Sequence, residues 1–318
     1  MSASFEPTRW IWRDGELIPW EEATLHAMSH VVHYGSSVFE GIRCYQTDDG
    51  PAVFRLSAHM RRFLDSCRVY RMEPEYPRPE LEEAAVGVIR ENDLESCYVR
   101  PVAYRGYGAP GLDPTDSPIR TMIICWPWGE YLGEGALSEG VDTCVSTWSR
   151  PAPNTFPVSA KAGGHYVNAQ LMKLEAAAGG FAEAIALGPD GLVSEGSGQN
   201  VCLVRDGTVV TPEVDGTFLP GITRSSVLEL ASDLGIPTRE CGVPREWLYT
   251  SEEVFFTGTA SELTPVRSVD GVEVGSGGSG PVTRALQDRY MEVVSGEHEG
   301  RADWLTPVPL AVEQGRAS

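Results

Sequence analysis

Apolar positions along the chain fall into two blocks of short runs on either side of a glycine-rich stretch. In the first block, Trp10-Ile11-Trp12 and Leu17-Ile18-Pro19-Trp20 flank Asp14-Gly15, which is the chemistry of a hairpin turn. Val53-Phe54-Arg55 reads as a further strand. Residues 57–70 set Met60, Phe63, Leu64 and Cys67 on one helical stripe, and residues 79–93 do the same with Leu81, Ala84, Ala85, Val88 and Ile89. Two apolar strands, 97–104 and 121–126, end the block. Residues 128–139, with Gly129, Gly133 and Gly135, break every period and mark a linker. In the second block, strands are predicted at 142–148, 183–187, 200–205, 208–211 and 253–256, and helices at 166–178, 224–234 and 282–294. The expected organisation is a small N-terminal domain over 1–130, an interdomain loop over 131–139 and a larger domain over 140–318, with the tail after 305 loose. Short strands mixed with helices in both blocks predict a two-domain α+β or α/β fold.

Length and composition fit that picture. The 318 residues suffice for two cores, and 42% hydrophobic with 22% charged residues is ordinary for a globular chain. The formal net charge of −20 disfavours nucleic acid and anionic membranes as partners. No run approaches the ~20 apolar residues of a membrane span, and the first residues lack a basic-then-apolar leader, so a cytoplasmic protein is expected. The seven cysteines form no CxxC pair and several lie in apolar runs, which predicts buried reduced thiols rather than disulfides or zinc. His26, His30 and His33 have metal-compatible spacing but no acidic neighbour, and no metal site is expected there.

One count changes the picture. Of 25 basic residues only two, Lys161 and Lys173, are lysines. Arginine cannot form an imine and lysine can, so a chain this poor in lysine is expected to keep one where a primary amine reacts. Small residues surround Lys161 in Ser159-Ala160-Lys161-Ala162-Gly163-Gly164 and leave room for a bulky group on the amine, whereas Lys173, in the middle of a predicted helix beside Glu175, reads as an ordinary solvated residue. Leu219-Pro220-Gly221-Ile222-Thr223-Arg224 opens a helix, whose first N–H groups suit an anion, with Thr223 expected to cap it. Phe256-Thr257-Gly258-Thr259-Ala260 ends a strand in small hydroxylated residues, and Ser194-Glu195-Gly196-Ser197 offers one carboxylate in a run of small residues that a flat ring could approach. Each segment alone would also serve as a plain turn.

Together these segments resemble the branched-chain amino-acid aminotransferases of fold-type IV (class IV) enzymes dependent on pyridoxal 5′-phosphate (PLP). The resemblance runs through MSHVVHYGSSVFEGIRCY (28–45), YVRP (98–101), PWGEYLG (127–133), PNTFPVSAKAGGHY (153–166), SEGSGQN (194–200), LPGITR (219–224) and GTASELTPVRSVDG (258–271). It implies a homodimer or larger homo-oligomer that moves the amino group between leucine, isoleucine or valine and 2-oxoglutarate by ping-pong kinetics. In the roles it implies, Lys161 bonds to the cofactor and shuttles the substrate proton. Glu195 pairs with the pyridine nitrogen and Tyr166 with the phenolate oxygen. Arg62, the Ile222 and Thr223 backbone and Thr259 hold the phosphate. Tyr98, with the backbone at Thr259 and Ala260, takes the substrate α-carboxylate, and Arg100 takes the distal carboxylate of glutamate. Phe39, Tyr34, Trp128, Tyr131 and Tyr166 line an apolar pocket, and Arg43 belongs to the same substrate group. Tyr34 and the 107–112 loop are expected at a neighbouring subunit's site.

Two residues depart from the family pattern: Gln199 stands where a close relative has glutamate, and His165 where it has asparagine. Both flank residues with assigned roles and bear on substrate range. Other fold-type IV activities share Lys161 and Glu195, namely D-amino-acid or (R)-amine transaminases and aminodeoxychorismate lyase; FEGIR and GTASELTPV favour the branched-chain branch. A cofactor-free Schiff-base aldolase would use Lys161 but has no need of LPGITR or of Glu195.

Overall fold

The computed structural model describes residues 6–309 except 109, 130 and 134. The chain forms two compact units. Of the described residues, the first comprises those up to Gly129, the segment Ala160–Gly164 and those from Glu292 on; the second comprises the rest. Two pieces expected in the C-terminal domain, the Lys161 segment and the C-terminal stretch, therefore belong to the first unit. Neither carries a local signal of this, because both are placed by pairing with distant strands.

The first unit is built on an antiparallel sheet, eight strands among the described residues. Its order is Leu305–Pro307, Gly50–Phe54, Ile42–Thr47, Cys97–Arg105, Ile119–Trp126, Trp10–Arg13 and Glu16–Pro19, with Ser37–Phe39 pairing the far end of Cys97–Arg105. The helices Leu56–Val69 and Arg78–Glu91 bury Met60, Phe63, Leu81, Ala85 and Ile89 against Cys44, Cys97, Val99, Ala103 and Ile123. Side chains alternate faces along a strand. Val99 and Ala103 thus face the helices, and Tyr98, Arg100 and Val102 face away. The expected loose tail is corrected here: Leu305–Pro307 pairs antiparallel with Gly50–Phe54, and Val308 is buried in the core. Residues 310–318 lie outside the described part.

The second unit carries a mixed sheet, nine strands among the described residues, that closes on itself. Val193–Gly196, Glu183–Leu187, Val141–Val145, Glu262–Val269, Glu253–Gly258 and Asn200–Arg205 follow one another, and a last pairing, Glu195 opposite Asn200, joins the two ends. Ile185, Val193, Val201, Leu203, Val254, Phe256, Val266 and Val269 form the buried core of this ring. The helices Tyr166–Ala178 and Ile222–Asp233 pack outside it, and the Pro281–Val294 helix begins where the Glu253 carboxylate accepts from Val282 N–H (2.9 Å) and Thr283 N–H (2.7 Å). Two details differ from expectation. The expected interdomain loop contains a helical turn, Ala136–Glu139, and the strand read over 142–148 spans Val141–Val145. Among the described residues no helix is long and apolar enough to cross a membrane.

Candidate active site

In the first unit, the Leu56–Val69 helix supports the Lys161 segment. Its Ser66 hydroxyl accepts from the Lys161 backbone N–H at 3.0 Å, and the Lys161 carbonyl accepts from Phe39 N–H at 3.0 Å. Ala162 bridges to Val38 in strand fashion, and a Cβ on Gly163 would stand 2.3 Å from Ser37 Oγ, so a side chain there would force Ser37 to another rotamer. The Lys161 ammonium lies 5.2 Å from the centre of the Phe39 ring.

One turn earlier on the same helix, Arg62 meets a buried carboxylate. Glu40 accepts from Arg62 Nε (2.6 Å) and Nη2 (2.9 Å) and contacts His59 Nδ1 at 2.7 Å. Glu40 is fully buried, and burial alone would raise its pKa. The Arg62 charge and the hydrogen bonds from His59 and Arg62 outweigh that and hold the carboxyl well below the usual carboxylate range. Burial, the larger effect, lowers the pKa of His59 against the pull of Glu40, so the imidazole is neutral and donates from Nδ1.

On the sheet face away from the helices, five of the sequence-predicted residues cluster. The Arg100 guanidinium stands over Phe39 (4.7 Å), Tyr98 (5.2 Å) and Trp126 (5.6 Å). Trp128 stacks on Tyr98 at 4.7 Å, and Arg43, cross-strand partner of Tyr98, covers Tyr45 at 4.8 Å. Arg100 Nε is buried without a hydrogen-bond partner, and Arg100 makes no ion pair among the described residues. A Cβ on Gly41 would stand 1.8 Å from the Tyr98 hydroxyl, so only glycine lets that ring lie where it does. Tyr34 is not in this cluster. It is 45% exposed and stacks on His30 at 4.5 Å.

The second unit holds the acid. Glu195 is buried at the closure of the sheet and pairs with Arg150 at 2.8 Å. Arg150 also donates to Asn168 Oδ1 at 2.7 Å, which ties Glu195 to the helix that starts at Tyr166. Opposite Glu195, Asn200 donates to the Leu219 carbonyl at 3.0 Å and leaves no room for a side chain at Gly221, whose Cβ would be 2.1 Å away. The closure and the start of the Ile222–Asp233 helix are thereby coupled. That helix has no side-chain cap: Thr223 is its second residue, buried, and does not fill the role predicted for it. Arg224 is spent elsewhere, on Thr211, the Pro212 carbonyl and Glu240. Thr259 and Ala260 lie in the turn after Glu253–Gly258, half-buried, and Tyr131 is 43% exposed.

Gln199 and His165 are both buried. Gln199 donates to Glu183 at 3.1 Å and accepts from Gly198 N–H, and His165 packs edge-on against Phe156 at 5.3 Å. Lys173, expected to be an ordinary solvated residue, is instead half-buried and paired with the same Glu183 at 3.0 Å. Glu40, His59, Ser66, Arg150 and Asn200 went unseen in the sequence. The one available signal was the rule that a buried carboxylate needs a cation, and that names no partner.

The amine on a glycine-lined segment in the first unit, and in the second a buried carboxylate paired with an arginine and an uncapped helix start with a threonine, are each chemistry that a phosphorylated pyridine aldehyde can use. The chain belongs to the amino-transferase class IV family, whose model matches residues 37–269. Within that family it is similar to the branched-chain-amino-acid aminotransferase of Salmonella typhimurium, 48% identical over 300 residues that cover 94% of this chain and 97% of the relative. The crystal structure of the Escherichia coli branched-chain amino acid aminotransferase superposes with a TM-score of 0.93 at 47% identity, covering 95% and 100% of the two chains. The branched-chain amino acid aminotransferase from Thermobaculum terrenum, in its PLP-bound holo form, superposes with a TM-score of 0.89 at 35% identity, covering 96% and 100%.

Proposed function

We propose that this chain is a branched-chain-amino-acid transaminase that transfers the amino group between leucine, isoleucine or valine and 2-oxoglutarate with PLP as its cofactor. The observation that carries the reading is Arg100, a cation set among three aromatic rings with one buried N–H unanswered. Such a surface buries an aliphatic side chain and also pairs with the distal carboxylate of glutamate, as a two-substrate enzyme requires.

The cofactor supplies an aldehyde carbon that takes up the amino group and a protonated ring that draws electrons from the substrate α-carbon. Lys161 would anchor it and, once its amine is released, would carry the proton from the substrate α-carbon to the former aldehyde carbon. Glu195, oriented by Arg150, holds the proton on the ring nitrogen. Tyr166 donates to the ring phenolate. Ile222, Thr223, Thr259 and Arg62 would hold the phosphate. Tyr98 and the Thr259–Ala260 backbone would orient the α-carboxylate, while Phe39, Arg43, Trp128, Tyr131 and Tyr166 would shape the side-chain pocket together with Tyr34 of a neighbouring subunit.

The enzyme is a homodimer at least, and a hexamer is compatible with it. In support, Leu25, Met28, Val32, Tyr34, Tyr107 and Leu112 are exposed at 42–86%, large apolar side chains suited to cover by a second copy. His30 ties them together through Ser36 and the Gly111 carbonyl. Cytoplasmic location rests on seven cysteines without a disulfide.

The test is a donor panel of L-leucine, L-glutamate, D-alanine and (R)-1-phenylethylamine with a 2-oxo acid acceptor, on wild type and Lys161→Ala. Turnover of L-leucine and L-glutamate, lost in Lys161→Ala together with the cofactor's visible absorbance, is expected. Turnover of D-alanine or the amine alone, or turnover surviving Lys161→Ala, overturns the assignment.

A further inference from the structure

The Leu56–Val69 helix presents His59, Arg62 and Ser66, spaced by three and four residues, as one polar stripe on an otherwise apolar inner surface. Ser66 holds the Lys161 backbone, and the other two converge on Glu40. Glu40 has no exposure at all, and it precedes Gly41, against which Tyr98 packs. A carboxylate placed so deep is costly unless it is fully engaged. It is: Arg62 offers Nε and Nη2 to its two oxygens, His59 Nδ1 donates to the second, and the Gly41 N–H adds a contact at 3.2 Å. The bidentate fork fixes the plane and the rotation of the guanidinium, which a flexible four-bond side chain would otherwise leave undetermined.

We propose that Glu40, braced by His59, is the positioning residue for phosphate recognition in this enzyme, setting the direction in which Arg62 presents its outer nitrogens to the cofactor phosphate. The inference rests on the reading of Arg62 as a phosphate ligand. Glu40 touches neither cofactor nor substrate in this role. Its loss is therefore felt only by a ligand that carries the phosphate.

The test compares PLP with pyridoxal, which has the same ring and aldehyde without the phosphate. Full-length holoenzyme, stripped of cofactor and titrated with each, gives two dissociation constants for wild type, Glu40→Gln and Arg62→Gln. For Glu40→Gln the PLP constant is expected to rise about tenfold or more while the pyridoxal constant moves less than about twofold, with the thermal midpoint of the stripped protein reported alongside. Equal weakening of both ligands, or weakening of neither, overturns the proposal and leaves Glu40 a structural residue. If Arg62→Gln itself keeps the wild-type preference for PLP, the reading of Arg62 has failed instead. If Glu40→Gln does not fold, Glu40→Asp decides by the same ratio, because it keeps the charge but draws the carboxylate back by a methylene: selective loss for PLP supports the proposal, and none overturns it.

Discussion

Replacing Arg100 by methionine tests the proposal that this residue distinguishes glutamate from leucine. The guanidinium lies 4.7–5.6 Å over three rings, has its Nε buried and unpartnered, and makes no ion pair among the described residues. A distal carboxylate bound there gains a charge-assisted pair in partly desolvated surroundings. Truncating one partner of a fully buried pair costs about 2–5 kcal/mol, and Arg100 is only half-buried, so about 2–3 kcal/mol is the working figure. At 1.36 kcal/mol per decade this is a loss of roughly 30- to 200-fold in kcat/KM for glutamate. Methionine keeps an apolar stem of similar length against Phe39 and Trp126, so leucine should change by no more than about threefold. Because the reaction runs as two separable halves, each donor can be followed alone in single turnover by the change in cofactor absorbance. A parallel fall for leucine and glutamate would mean that Arg100 supports the pocket rather than reading the carboxylate. An unchanged glutamate half-reaction would remove it from substrate recognition altogether.

Three further outcomes are expected. Trp304 packs edge-on against Phe54 at 5.8 Å, is flanked by Arg55 and Arg301, and its carbonyl accepts from Arg55 N–H, so Trp304→Ala should lower unfolding free energy by about 3–5 kcal/mol in urea titration; a loss under about 1 kcal/mol would mean that the C-terminal stretch is not part of the core. Glu253→Ala strands two N–H groups at the start of the Pro281–Val294 helix and should cost about 1–2 kcal/mol, which calorimetry on the pair of proteins would register. Glu40 has its folded-state pKa depressed below the unfolded value, so its stabilising contribution is present above about pH 4.3 and is lost as pH falls below it. Wild type should therefore lose stability more steeply than Glu40→Gln between about pH 5 and pH 3, and coincident curves would refute the assignment of its charge.

The helices at 56–69 and 166–178 were both legible to within a residue or two: the first carries a clean stripe against one core, whereas the second buries Ala169, Met172 and Ala176 and leaves Val167, Leu171 and Leu174 exposed. Two of the strands that went unread lie in surroundings that erase alternation. Ile42–Thr47 is buried at four successive positions, and Glu262–Val269 at five, with Pro265 arguing against a strand by local chemistry. Pro265 is tolerated opposite Phe255 in a sheet closed around its own core. Placement of Lys161 in the first unit was invisible for another reason. It depends on Val38 meeting Ala162 and on Ser66 meeting the Lys161 N–H, contacts between segments far apart in sequence. The direct ligand candidates could be named from segments of resemblance, whereas the residues that hold them, Glu40, Arg150 and Asn200, are defined only by who stands next to whom.

Lysine scarcity shows how far composition can carry chemistry. Two lysines remained, and reading Lys173 as a solvated helix residue separated them on a premise the structure does not support. Its ammonium donates to the Ala182 carbonyl and to Glu183, a carboxylate with no exposure, which in turn accepts from Gln199. Gln199 accepts from Gly198 N–H, and its carbonyl takes the Gly196 N–H at 2.7 Å, which closes the turn beside Glu195. The two lysines thus differ in what their amines face rather than in exposure. The amine of Lys173 is committed to fixed acceptors and serves to anchor a turn. That of Lys161 sits beside an aromatic ring, on a segment where a Cβ at Gly163 would collide, and it is the one around which bulk has been cleared. A primary amine was retained at both places, once for its reactivity and once as a compact donor to a buried carboxylate, and only the surrounding side chains tell the two uses apart.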